Sequence, residues 1–456
     1  MSTNTSLGSG LKTRHLTMMG LGSAIGAGLF LGTGVGIRAA GPAVLLAYIA
    51  AGAIVVLVMQ MLGEMASARP SSGSFSTYGR QAFGHWAGFV LGWLYWFMLV
   101  MVMGAEMTGA AAIMGSWFGI DPWIPALVAV VFFAVVNFAK VRGFGEFEFW
   151  FSFIKVAVIV GFLLIGVLLF FGLLPGHDPI FFHNISQVEF APNGLPGIAA
   201  GLLAVAFAFG GIELVTIAAA ESENPAQAIG TAVRSVIFRI IVFYLGSVLV
   251  IIMLLPYAQI TDKDTVAESP FTQVLAMANL PGVVGFMEVI IVLALLSAFN
   301  AQIYGTSRLV HDLASEGDAP RLFAVTNREN VPINAVVLSM VFAFLSVALQ
   351  WWNPTGLLTF LLNAVGGCLI VIWVMITASF LKLRPEMVAR GETPSVRMWG
   401  YPWLSWVTMA MLVGLVGLML FDESARSQVV SVVIVTGVLA ILSLTTKNNK
   451  KRMSTT

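Results

Sequence analysis

Gly20-Leu-Gly-Ser-Ala-Ile-Gly-Ala-Gly-Leu-Phe-Leu-Gly32 and Phe207-Ala-Phe-Gly-Gly-Ile-Glu213 decide how this chain is read. Each interrupts a long apolar run with glycine, and every glycine weakens a helix by about 1 kcal/mol relative to alanine. Unwinding a helix inside lipid strands backbone N–H and C=O groups, which is tolerated only where they face protein, water or a ligand. Interrupted spans at corresponding positions of two halves point to a transport site near the bilayer midplane. The N–H groups freed around Ser23, Ala24, Gly26, Ala27 and Gly28 lie at the positive end of a half-helix and suit a carboxylate. Carbonyls freed near Ile25, Phe207 and Gly210 suit an ammonium, and an amino acid carries both groups. Gly22 and Gly26 alone read equally well as small residues that let helices pack closely. The two clusters together favour the site.

The remainder of the chain supplies a matching solvent. Of its 456 residues, 58% are hydrophobic and 10% charged, where a soluble domain carries about 25% charged. Apolar runs recur from Met18 to Leu444, many of them reaching the roughly 20 residues that span hydrocarbon. The expected architecture is an all-α integral membrane protein with twelve transmembrane helices. These fall near 17–37, 42–66, 86–115, 123–139, 150–173, 195–219, 236–256, 281–307, 333–352, 357–381, 402–421 and 427–446. In domain terms this gives a tail at 1–16, helices 1–5 at 17–173, helices 6–10 at 195–381, helices 11–12 at 402–446 and a tail at 447–456. Met1 to His15 is polar and basic, and the apolar run behind it is too long for a cleaved signal, so it reads as a retained first span.

Alternate loops divide the 23 Lys and Arg unequally. Nineteen fall on one side, from Lys12 and Arg14 through Arg234 and Arg239 to Arg452. Only Arg38, Lys263 and Arg426 fall on the other, and Lys155 lies inside a span. The positive-inside rule therefore puts both termini in the cytoplasm. Loops stay under about 25 residues and no GxxxxGK[ST] motif occurs, which excludes ATP-driven transport by this chain alone. Energy must come from an ion gradient, the substrate gradient or a separate subunit. The lone Cys368 gives no disulfide framework, and neither an HExxH motif, clustered histidines nor a nucleophile elbow suggests catalysis or a metal. The net charge of +1 gives no sign of a nucleic acid partner.

Ionisable residues within spans face partners or cavities by default. Lys155 sits about six residues into the fifth span, where a buried ammonium must be paired or give up its proton, so it can bind and release one during a cycle; snorkelling to the interface is the alternative. Glu106 lies midway along the third span, as a pocket wall or counter-charge, and Glu213 closes the second break, as a cap or proton acceptor; both equally fit a structural hydrogen bond. Glu64 reads as structural or gating. Tyr95, Trp96, Phe30, Phe207 and Phe209 can wall the pocket, with Phe207 or Phe209 closing over substrate. Ser297 and Asn300 add polar support near Lys155 or bond helix to helix.

These residues resemble a known family, the amino acid permeases of the amino acid-polyamine-organocation superfamily, along essentially the whole chain. The likeness rests on Leu11-Lys-Thr-Arg-His15 leading into the first break, Leu62-Gly-Glu-Met65, Pro70-Ser-Ser-Gly-Ser-Phe75, Phe144-Gly-Glu-Phe-Glu-Phe-Trp150 with Ile154-Lys155, Phe209-Gly-Gly-Ile-Glu213 with Ala219-Ala-Glu-Ser-Glu-Asn-Pro225, and Ser307-Arg-Leu309. It implies a LeuT-type fold: a 5+5 inverted repeat, two extra helices, and first and sixth helices broken. It also implies proton-coupled amino acid uptake across a bacterial inner membrane, with no cofactor beyond the proton gradient. Lys155 would then stand where sodium sits in related symporters. Phe209-Gly-Gly-Ile-Glu-Leu214 and Trp373 look most like the aromatic amino acid permeases, since γ-aminobutyrate (GABA) permeases more often carry Met in place of the first glycine. Removing side chains there leaves volume for an indole or phenyl ring. Asn363-Ala-Val-Gly-Gly367 lies between the two patterns. The alternatives are a permease for GABA or another neutral amino acid, a non-transporting sensor, and a passive channel. The expected partners are an amino acid, protons and lipid; a single chain suffices for the cycle, and the oligomeric state is open.

Overall fold

The computed structural model describes residues 25–71, 74–138, 144–211, 213, 225–261, 269–327, 331–421 and 423–453. Among these residues every regular element is helical. Ser23 and Ala24, expected in the first break, lie outside them.

Ala27–Phe30 and Gly32–Ala40 form one helix, α1, joined through Leu31: Leu31 N–H bonds the Ala27 carbonyl at 2.9 Å, and Val35 N–H the Leu31 carbonyl at 3.3 Å. Gly41, at φ 63°, and Pro42 then turn the chain into α2, Val44–Ala68. The succeeding helices are α3 Ser74–Phe83, α4 His85–Phe118, α5 Trp123–Phe138, α6 Phe144–Phe170 and α7 Gly194–Ala208. Beyond them come α8 Pro225–Arg239, a π-helical turn Ile240–Leu245, α9 Gly246–Leu254, α10 Pro270–Met277 and α11 Val283–Ser315. The last four are α12 Ile333–Trp352, α13 Leu357–Ala389, α14 Trp403–Met419 and α15 Glu423–Met453. Eight helical runs among the described residues are long and apolar enough to cross a membrane, with shorter apolar helices at α5, α7 and α14.

Inside a bilayer the hydrophobic effect cannot press helices together, so packing, small residues and interhelical hydrogen bonds must do so. α4 runs through the centre against α11 and α13, and α7 lies along α1 and α13. Gly28 brings α1 against α7 so closely that a Cβ there would stand 2.7 Å from the Ala208 Cα. Between α4 and α12, Gln350 Nε2 donates to Thr108 Oγ1 at 2.7 Å. Cys368 is buried in this core. The outer helices turn apolar side chains outward, as Ile434, Ile441 and Leu444 do on α15.

Polar ties hold one end of the bundle. Glu64 accepts from Arg384 Nε at 2.7 Å and from the Met398 N–H at 2.5 Å, fixing α2 to α13 and to the 390–402 loop that follows it. Arg69 pairs with Glu392 at 2.7 Å, and Arg80 with Glu316 at 2.5 Å and with Asp318, which His85 also reaches at 2.7 Å. The tally of loop cations needs one correction. Arg239 is wholly buried at the end of α8, so the richer side holds eighteen.

Candidate functional site

The first break is visible from Ile25 onward. Ile25 and Gly26 are outside any helix, Gly26 is extended at φ −158° and ψ −146°, and α1 begins at Ala27. The Ala27 N–H donates to Glu106 Oε2 across 3.0 Å, both groups buried. That donor, expected to be open to a ligand, is therefore held by a side chain from α4. Gly26 is what admits it, because a Cβ at 26 would run into the Glu106 carboxylate. Lys155 of α6 is 2% exposed and within electrostatic reach of Glu106. An ammonium with that little contact with solvent is not snorkelling.

The second break follows α7. Phe209, Gly210 and Gly211 form a turn, with Gly211 at φ 84°, a left-handed conformation that disfavours any side chain. Glu213 is buried, and Trp373 Nε1 of α13 donates to its Oε1 at 2.8 Å. The two glycines differ in their surroundings. A Cβ at Gly210 would stand 2.9 Å from Leu369 Cδ1 and 3.1 Å from the Phe207 carbonyl, whereas one at Gly211 meets nothing within 4 Å. Among the described residues, open space beside the pair is thus found on the Gly211 side.

The two candidate gates also separate. Phe209 has no exposed surface and packs edge-on to Tyr48 at 5.9 Å and tilted against Tyr244 at 5.1 Å, so it is part of the packed core. Phe207 lies over the first break, its ring 3.2 Å from where a Gly28 Cβ would be. Tyr48 and Thr33 hydroxyls, 3.1 Å apart, tie α2 to α1. Phe30 packs edge-on to Phe271 of α10 at 5.1 Å, and Ser269 Oγ donates to the Phe30 carbonyl at 2.6 Å.

Other expected residues have partners of their own, and Tyr95 is also within electrostatic reach of Glu213. Asn300 accepts from Asn137 Nδ2 at 2.8 Å, a bond between α11 and α5. Trp96 packs on Phe342 at 5.0 Å, and Tyr95 on Phe75 at 4.8 Å. Ser297 is buried on α11. Arg239 is the residue that sequence reasoning passed over: it is buried, interacts electrostatically with Glu213 and Tyr244, and immediately precedes the π-helical turn. Its position three residues inside the span expected at 236–256 was the available signal, since an arginine there is functional until shown otherwise. No group of three or more His, Cys, Asp or Glu that could hold a metal occurs among the described residues.

Apolar helices of membrane-spanning length packed around buried glycine-rich segments and buried charged side chains define a multi-pass membrane protein. The chain belongs to the amino acid permease family, which it matches over residues 15–454. It is 71% identical over 450 residues to the aromatic amino acid transport protein AroP of Corynebacterium glutamicum, covering 98% of this chain and 97% of that one. It is 38% identical to the γ-aminobutyric acid permease of Bacillus subtilis, covering 96% and 94%, and 35% identical to AroP of Escherichia coli strain K12, covering 90% and 89%. These relatives are transport proteins, and this chain is a transporter rather than an enzyme.

Proposed function

We propose that the chain carries an aromatic amino acid into the bacterial cytoplasm together with protons, by alternating access. The observation that carries the substrate class is the 71% identity to a relative named for aromatic amino acids. At 35–40% identity the relatives carry both names, so only the nearer likeness discriminates. The open space beside Gly211 leaves room for a substrate side chain. In this reading the carboxylate is held by backbone N–H groups among Ser23, Ala24, Gly26, Ala27 and Gly28, and the ammonium by carbonyls at Ile25, Phe207 and Gly210. Phe207 is the gate, and coupling depends on Lys155, with Glu106 as its acidic partner and Glu213 as a cap of the second break or a proton acceptor.

The architecture proposed with it has twelve spans: an inverted repeat over 17–173 and 195–381, two further helices over 402–446, and cytoplasmic tails at 1–16 and 447–456 in the inner membrane. Eighteen loop cations against three support the orientation. A GABA permease is the second reading, supported by identities of 38–40% to proteins so named. Uptake of radiolabelled phenylalanine by cells expressing the chain, challenged with excess tryptophan, tyrosine or GABA, separates the two. Tryptophan and tyrosine are expected to compete and GABA to leave uptake unchanged. Competition by GABA alone would reverse the assignment.

A further inference from the structure

Glu106 occupies the place that the first break offers to a substrate. The Ala27 N–H opens α1, and the carboxylate upon it comes from this chain's own α4, 79 residues away in sequence. The fit is built on both sides. Gly26 lacks the Cβ that would collide with that carboxylate, and Glu106 is 3% exposed, too buried to find water if it let go. A buried carboxylate is stable only while hydrogen-bonded or paired. Here it has the N–H bond and the nearby ammonium of Lys155.

We propose that Glu106 is an internal stand-in for the substrate carboxylate, displaced from the Ala27 N–H when the amino acid binds and taking up a proton as it leaves. One N–H serves one carboxylate. The substrate is a zwitterion, but its ammonium sits at the carbonyls and its carboxylate at Ala27, so while Glu106 stayed ionised two carboxylates would compete for one N–H and for Lys155 in a medium of low dielectric, which is unfavourable. One proton on Glu106 leaves a single carboxylate on that N–H and that cation. The substrate carboxylate then inherits the Ala27 N–H and the Lys155 counter-charge, and its ammonium goes to the carbonyls at Ile25 and Gly210, that of Phe207 already accepting from the Gly210 N–H at 2.8 Å. The proton comes from the solution that supplied the substrate. After the substrate departs on the other side, Glu106 gives that proton to the second solution and returns to Ala27. The ionisable groups facing Glu106 among the described residues are Lys155 on α6 and Tyr244 in the π-helical turn, with Arg239 and Glu213 beyond Tyr244.

The inference rests on the reading of the first break as an amino acid site, and the experiment separates the two. Purified protein is titrated calorimetrically with phenylalanine, and with GABA, in two buffers of different ionisation heat. The difference gives protons taken up per amino acid bound. The wild type is expected to take up about one proton per amino acid, and Glu106→Gln, which still offers an oxygen to Ala27, about none. Glu106→Asp, shorter but chargeable, is expected to restore the proton uptake and to bind the amino acid more tightly, because it competes less well for Ala27. Undiminished proton uptake in Glu106→Gln would overturn the proposal, as would loss of binding in a folded Glu106→Gln protein, which would make the carboxylate a direct ligand. A wild type that binds GABA and not phenylalanine would overturn the aromatic reading alone, and the proton count taken with GABA would still decide the role of Glu106.

Discussion

Gly28 and Arg239 carry opposite kinds of constraint. At Gly28 the limit is space, since the atom that a Cβ would meet at 2.7 Å is the Ala208 backbone, which cannot swing aside. Gly28→Ala is therefore expected to lower stability by about 1–3 kcal/mol. Gly230→Ala, whose Cβ would meet Val396 at an ordinary 3.7 Å, is expected to leave it unchanged, as thermal unfolding in detergent would measure. At Arg239 the limit is charge. Arg239→Met leaves Glu213 buried without its nearby cation, a loss of about 3–5 kcal/mol, while the double variant Arg239→Met with Glu213→Leu is expected to recover part of it. A double variant no more stable than the single one would refute the pairing. Glycine positions were legible in the sequence because the residue type announces itself. The partner of Ala27 was not, because it depends on the register of α4 against α1, which spacing within one helix does not encode.

Helices were the most readable level, since a span must satisfy its backbone internally and sheds charge along its length. The span expected at 333–352 coincides with α12, and that at 86–115 falls within α4. Breaks inside elements were less readable. The π-helical turn at Ile240–Leu245 has an unremarkable Ile-Ile-Val-Phe-Tyr-Leu sequence, and Ile240, Phe243 and Tyr244 of it are buried. Between elements, Glu64 joins α2 to α13 and to the loop after it. Glu64→Leu strips both bonds and leaves Arg384 with its place over the Tyr401 ring at 3.7 Å but without its carboxylate, so it is expected to cost about 3 kcal/mol. Glu386→Ala, which breaks an exposed pair with Arg390, is expected to change stability by less than about 1 kcal/mol. Equal losses for the two variants in thermal unfolding would show that the Glu64 tie is not structural.

At the scale of the whole molecule, composition made the solvent plain and charge asymmetry suggested the orientation, but neither bears on what is carried. Side-chain choice rests on the space beside Gly211 and on likeness to a relative, because the backbone clamp suits every amino acid equally. Energy coupling depends in this account on a single buried cation, Lys155, set against Glu106 in the centre of the helix bundle. The most direct test is phenylalanine uptake into proteoliposomes with and without an imposed inward proton gradient, for the wild type and Lys155→Gln. The wild type is predicted to accumulate phenylalanine above the external concentration only with the gradient, and Lys155→Gln to reach no more than equilibration under either condition. Accumulation by Lys155→Gln equal to that of the wild type, or wild-type uptake indifferent to the gradient, would contradict the account.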